Sequence, residues 1–174
     1  GDPDHSKVFD GVDFGYSKIT VERPLRIAGV EEGRVYKAPE IKQLKEDGVR
    51  DESAPPIIKK VLPYAATPDP LYGRYEAIID GRVRVVEYEP DTELRDTEQV
   101  PLTEPAGEYA DGIETFFRRE VEPYAPDAWI DETKTKIGYE ISFTRHFYKP
   151  TPMRTLAEIQ ADIRGLEAET DNLI

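Results

Sequence analysis

The sequence predicts an α+β fold: a small mixed or antiparallel sheet with a β-hairpin, a few short helices and a C-terminal amphipathic helix. Three observations carry that expectation. Residues 75–79 and 82–88 are two β-branched runs separated by Asp80-Gly81, a two-residue hairpin signal because both central positions need positive φ. Residues 136–148 alternate, with apolar Ile137, Tyr139, Ile141, Phe143 and Phe147 at odd positions and Arg145 as the exception. Period two over this length reads as a half-buried strand, or two strands joined at a bend. Finally, Leu156, Ile159, Ile163, Leu166 and Leu173 recur at steps of three and four, with Thr170 in the remaining seam position. That is a heptad face.

The other elements follow in order. Residues 16–22 form a short strand with Ile19 and Val21 on one face, and Pro24 ends it because proline lacks the ladder donor. Pro39 opens a short helix over 40–46, with Ile41 and Leu44 inward and Gly48 as its stop. Residues 49–70 hold Pro55, Pro56, Pro63, Pro68 and Pro70; loop is expected there, with at most one helical turn around 57–61. Acidic, proline-bounded residues 89–107 read as loop. Asp111 and Glu114 resemble a capping box for a helix to about Val121, with Ile113, Phe116, Phe117 and Val121 on one face. The single tryptophan, Trp129, is expected to pin the next corner to the core. Thr155 and Glu158 repeat the capping-box pattern at the last helix.

The totals bound what such a chain can do. With 174 residues, 38% hydrophobic and 34% charged, it suits one domain with a modest core. No run approaches the roughly 18 apolar residues of a membrane span, and no signal peptide is visible. The absence of cysteine excludes disulfides and thiolate metal sites and is compatible with a cytoplasmic location. Net charge is −13, unevenly spread. Residues 1–132 carry 17 Lys and Arg against 30 Asp and Glu, whereas residues 133–154 carry five basic side chains against Glu140 alone. So acidic a chain repels phosphates as a whole. Lys134, Lys136, Arg145, His146 and Lys149, interleaved with aromatic residues, form the one strip suited to a DNA backbone. Equally, that strip could simply balance the acidic body.

Catalytic patterns are scarce. There is no Gly-x-Ser-x-Gly elbow, and neither His5 nor His146 has an evident serine and acid beside it. Glycines 11 and 15 lack the spacing of a nucleotide-binding loop. Glu87, Glu89, Asp91, Glu93 and Asp96 follow the hairpin as they would in a carboxylate-metal nuclease, but the usual following lysine is missing. A solvated acidic loop is the plainer reading, and no metal site is assigned. The seam Leu156, Ile159, Ile163, Leu166 and Leu173 fits either core packing or a protein-binding face, including a self-associating interaction module.

Several long strings resemble modification subunits of type I restriction–modification systems. One is Asp13-Phe14-Gly15-Tyr16-Ser17-Lys18-Ile19-Thr20-Val21-Glu22-Arg23-Pro24-Leu25-Arg26. A second begins Glu89-Pro90-Asp91-Thr92-Glu93-Leu94-Arg95 and runs to Leu102; a third is Pro126-Asp127-Ala128-Trp129-Ile130-Asp131. The fourth, Lys136-Ile137-Gly138-Tyr139-Glu140-Ile141-Ser142-Phe143-Thr144-Arg145-His146-Phe147-Tyr148, is the closest. The resemblance implies an adenine-specific DNA methyltransferase that uses S-adenosylmethionine. It also implies, as partners, the DNA-specificity and restriction subunits of the same system, and double-stranded DNA in the assembled complex. Such enzymes hold the cofactor on a glycine-rich loop and the flipped adenine on an Asn/Asp-Pro-Pro-aromatic motif. Neither occurs here, since Pro55-Pro56 follows Ala54. This stretch therefore resembles the C-terminal region alone, without a catalytic residue or a cofactor of its own. The expected organisation is a segment 1–28 continuing from a catalytic domain, a proline-rich region 29–72, an α+β core 73–153 and a heptad helix 154–174. In the family, the C-terminal region contacts the specificity subunit's long helices, which makes Leu156, Ile159, Ile163, Leu166 and Leu173 the expected docking residues.

Overall fold

The structure, a computed structural model, describes residues 8–142, Thr144 and residues 153–171. The fold is α+β. The strands are β1 (Gly15–Glu22), β2 (Ile58–Val61), β3 (Arg74–Ile79), β4 (Arg82–Tyr88), β5 (Asp96–Pro101), β6 (Trp129–Ile130) and β7 (Lys136–Tyr139). The α-helices are α1 (Ala38–Asp47), α2 (Gly112–Phe116) and α3 (Leu156–Asp171). Two compact units hold them: Val8–Ile141 contains both sheets, and a second unit that includes Ser142–Ile174 contains α3.

β1 is the axis of the first sheet. It pairs antiparallel with β5 along one side, from Tyr16 opposite Pro101 to Val21 opposite Asp96. On the other side β7 takes Gly15 to Lys18, and β6 takes Val21 and Glu22. Partners on both sides close both edges of the strand, and Ser17, Ile19, Thr20, Val21 and Glu22 are buried while Lys18 is exposed. Ile19 and Val21 lie in one apolar cluster with Leu71, Val100, Phe117, Val121, Ala128 and Ile130. The helix that supplies Phe117 and Val121 begins with the expected cap: Asp111 accepts from the Glu114 amide at 2.8 Å, and Glu114 accepts from the Ala110 amide at 3.2 Å. Beyond Phe116 it widens into a π-helical turn, Phe117–Val121, closed by a 3.0 Å bond from the Glu122 amide to the Phe117 carbonyl.

The second sheet has the order β2-β4-β3, all antiparallel. Its hairpin turns at Asp80 (φ 51°) and Gly81 (φ 71°), both in the left-handed region that a two-residue turn requires. α1 starts two residues earlier and ends one residue later than expected, with Pro39 in its first turn and the Lys37 amide donating to Glu40 at 2.9 Å. It packs Ile41 into a second cluster with Leu25, Ile27, Tyr36 and Ile57. The chain leaving β1 is stitched to this part by backbone bonds from Leu25 to Glu89, from Ile57 to Leu25 and from Glu89 to Ile57.

Three expectations need correction. The helical turn around 57–61 is strand β2: Pro55 and Pro56 hold the approach extended, and buried Ile57 and Ile58 fix its register against β4. The acidic loop 89–107 contains β5, whose polar residues face outward at a sheet edge while Val100 alone is buried. β7 stops at Tyr139, and Ile137, Tyr139 and Ile141 are exposed rather than half-buried. Ile137 lies opposite Ser17, whereas the apolar cluster on β1 begins only at Ile19, and Ile137 is not part of it. The remainder of the alternating run, Phe143 and residues 145–148, lies outside the described residues.

Candidate docking and nucleic-acid surfaces

α3 is a single amphipathic helix of 16 residues. Its entry is fixed by the expected capping box: Glu158 donates its amide to the Thr155 hydroxyl at 3.3 Å, and its carboxylate accepts from the Thr155 amide at 2.7 Å. Bonds to its carboxylate from the Thr155 amide and then from the Thr155 hydroxyl, at 2.9 Å, hold the Glu158 carboxyl below its ordinary value. Arg154 reaches forward to pair with Asp162. The predicted seam is exposed along its described length: Leu156 by 71%, Ile159 by 41%, Ile163 by 50% and Leu166 by 63%. Leu173 lies outside the described residues. Sixteen residues are marginal for an isolated helix in water, so an uncovered seam of this kind gains stability chiefly from a partner surface. The helix carries Arg164 alone against Glu158, Asp162, Glu167, Glu169 and Asp171. Two copies laid seam to seam would therefore bring like charges together in either orientation.

The basic strip divides differently from its appearance in the sequence. Lys134 is not free for phosphate. Its ammonium sits 2.8 Å from Asp131 Oδ2 and 2.8 Å from Glu22 Oε1, and hydrogen bonds to Asp131 and then to Glu22 raise its pKa above that of an ordinary lysine. Burial pushes the Asp131 carboxyl up, but the hydrogen bonds from Lys134 and Thr133 outweigh it and hold the group low. Lys136, at the start of β7, is exposed. Arg145, His146 and Lys149 lie outside the described residues. One of the two described strip residues is thus committed to the fold.

The partner that commits it, Glu22, is invisible to sequence reasoning. It ends β1 with only 1% of its surface exposed, and its Oε1 also accepts from Arg95 Nε at 2.7 Å. A glutamate closing a strand normally reads as an exposed end. Glu22 pairs with Trp129 of β6, and Arg95 and Lys134, distant in sequence, close on its carboxylate.

The acidic run after the hairpin is also spoken for. Asp91 takes a two-pronged contact from Arg50 at 2.8 and 3.1 Å and accepts from the Glu93 amide at 3.0 Å. Burial pushes the Asp91 carboxyl up, but those bonds win and its pKa lies below the ordinary value. Glu89 lies between Lys45 and Lys59, Glu93 also meets Arg50, and Glu87 is 3.9 Å from Lys60. These carboxylates point toward arginines and lysines rather than toward one another. Among the described residues no group of three or more His, Cys, Asp or Glu is arranged to hold a metal ion.

The four strings that carry the family resemblance are far apart in sequence but meet in one place. They supply β1, β5, β6 and β7, the four strands of the first sheet. The chain matches no family model, no curated protein and no solved structure. No helix among the described residues is long and apolar enough to cross a membrane.

Proposed function

We propose that this chain is an assembly domain of the modification subunit of a type I restriction–modification system, inactive in methyl transfer by itself, whose α3 docks on a helix of the DNA-specificity subunit. The observation that carries the docking role is the exposed seam of α3. Burying those four side chains on a complementary groove recovers about 25 cal/mol for each Å2 of apolar surface removed from water. The acidic flanks favour a partner helix bearing lysine or arginine over a second copy of α3. The family assignment rests on the four resembling strings, which form one sheet. The sequence has neither a glycine-rich cofactor loop nor an Asn/Asp-Pro-Pro-aromatic motif, which supports a reading in which this chain does not itself transfer methyl groups.

The experiment is a titration of S-adenosylmethionine into this chain, with and without the DNA-specificity subunit. No saturable heat is expected from the cofactor, whereas a complex with the specificity subunit is expected and should be lost in Leu166→Asp. Micromolar cofactor binding, or no complex, would contradict the reading. Should the chain instead be a self-associating module, sedimentation would show concentration-dependent assembly that Leu166→Asp abolishes.

A further inference from the structure

β3 is the outer strand of the second sheet. β4 fills one of its edges, and on the other, among the described residues, only Asp69 pairs with it, at Arg74. Arg74 donates its amide to the Asp69 carbonyl at 3.0 Å and accepts from the Asp69 amide at 2.7 Å, so its backbone groups face away from β4. In an antiparallel ladder the backbone groups of alternate residues point to the same side. Those of Glu76 and Ile78 therefore face the outer edge as well. At the far end Gly33 (φ 74°) lies so close to Ile78 that a Cβ on it would come to 2.7 Å from the Ile78 carbonyl oxygen. Between Asp69 and Gly33 runs about 14 Å of strand edge, at roughly 3.4 Å per residue.

A groove follows this edge. Glu76, Ala77 and Ile78 all line it. Successive side chains of a strand point to opposite faces, so three in a row place the groove at the edge rather than on either face. Its volume is about 720 Å3, and Glu32, Gly33, Pro55 and Pro56 contribute to the lining. The prolines have no N–H with which to extend the ladder themselves. Ile78 and Val83, directly opposite one another on the hairpin, also line the groove, with 68% and 63% of their surface exposed. Glu32 and Glu76 are exposed too. Among the described residues no lysine or arginine lines the groove, and neither glutamate takes part in an ion pair.

An open strand edge is a template for pairing with another chain, and extended peptides are bound by adding a strand in this way. We propose that the groove takes a short extended segment of a partner protein as a fourth strand of the second sheet, antiparallel to β3. A lysine or arginine of that segment lies opposite Glu76, and an apolar side chain two residues away lies against Ile78 and Val83. The negative lining selects the basic residue. A second copy of β3 centred there would set Glu76 against Glu76, and like charges directly opposite are unfavourable. The groove lies wholly within Val8–Ile141, so the proposal is independent of α3 and of the family reading.

The probe is the acetylated and amidated peptide Val-Thr-Lys-Thr-Val, titrated into the isotope-labelled full chain and followed by the nuclear magnetic resonance signals of the Glu76 and Ile78 amides. Both should shift saturably, with Kd below about 1 mM. Two altered peptides should each bind at least about tenfold more weakly: one with glutamate in place of lysine, and one N-methylated at the lysine, whose amide then cannot reach the Glu76 carbonyl. Glu76→Lys should weaken the lysine peptide by a similar factor and strengthen the glutamate peptide. Glu108→Lys, the same charge change at an exposed position outside the groove, should weaken the lysine peptide by less than about threefold. No saturable shift, an N-methylated peptide that binds as tightly as the original, or a Glu76→Lys effect no larger than that of Glu108→Lys would each overturn the proposal. The peptide comparisons use the unaltered chain, so they decide it even if Glu76→Lys does not fold.

Discussion

In the unit Val8–Ile141, Ile19, Ile27, Ile57 and Ile130 are enclosed by neighbours from both sheets and the intervening helices; in α3, Ile159 and Ile163 lie in water. The residue type is the same and the periodicity is equally regular. The difference is that β1 receives partners on both sides and a helix across one face, while the α3 seam is exposed throughout its described length. Apolar spacing therefore specifies which face is to be covered but not what covers it. The first unit answers that question within its own residues. On α3 that face is exposed.

The sharpest way to break this contrast is to truncate an apolar side chain in each unit. Trp129→Ala removes the indole that joins the two sheets and should cost about 3–5 kcal/mol in urea unfolding; a loss below ~1 kcal/mol would mean that the corner is not cemented as described. Gly73→Ala comes next, since it combines a left-handed backbone with a collision against Trp129. About 1–3 kcal/mol is expected from thermal or urea melts. Leu166→Ala in α3 should change the stability of the isolated chain by less than about 0.5 kcal/mol, and a larger loss would show that its seam is already covered.

Acid sharpens the contrast further. The Asp91 and Asp131 carboxyls are both held below the ordinary value. Their contribution is fully present above the unfolded aspartate pKa, near 4, and is lost as pH falls through the lower folded values. The sheet-bearing unit should therefore lose stability on acidification below about pH 4. Arg50→Gln should reduce that acid dependence, measured by urea midpoints across the range, because the pairing that lowers Asp91 is gone.

Much of this arrangement is legible in the sequence where a local cause is sufficient. The hairpin is set by Asp80-Gly81, α2 by Asp111 and Glu114, α3 by Thr155 and Glu158, and the end of β1 by Pro24. What was not legible depends on pairing at a distance. β5 has one buried apolar residue, Val100, and owes its conformation to β1 eighty residues earlier. β2 hides among prolines and is fixed by β4. The site residues divide the same way. Leu156, Ile159, Ile163 and Leu166 lie on the heptad face as spaced, because helical geometry is local. Lys134 is taken out of the basic strip by Glu22, 112 residues away, a contact that no spacing in the sequence announces.

The α3 seam is proposed to dock a partner other than a second copy of itself. Sedimentation velocity of the full chain over a wide concentration range, alone and with the DNA-specificity subunit, tests it directly, with Ile163→Asp as the control. A docking seam gives one concentration-independent monomer alone and a heavier complex with the partner, lost in Ile163→Asp. A dimer that forms without the partner and dissolves in Ile163→Asp, or a mixture that yields no complex, would contradict it.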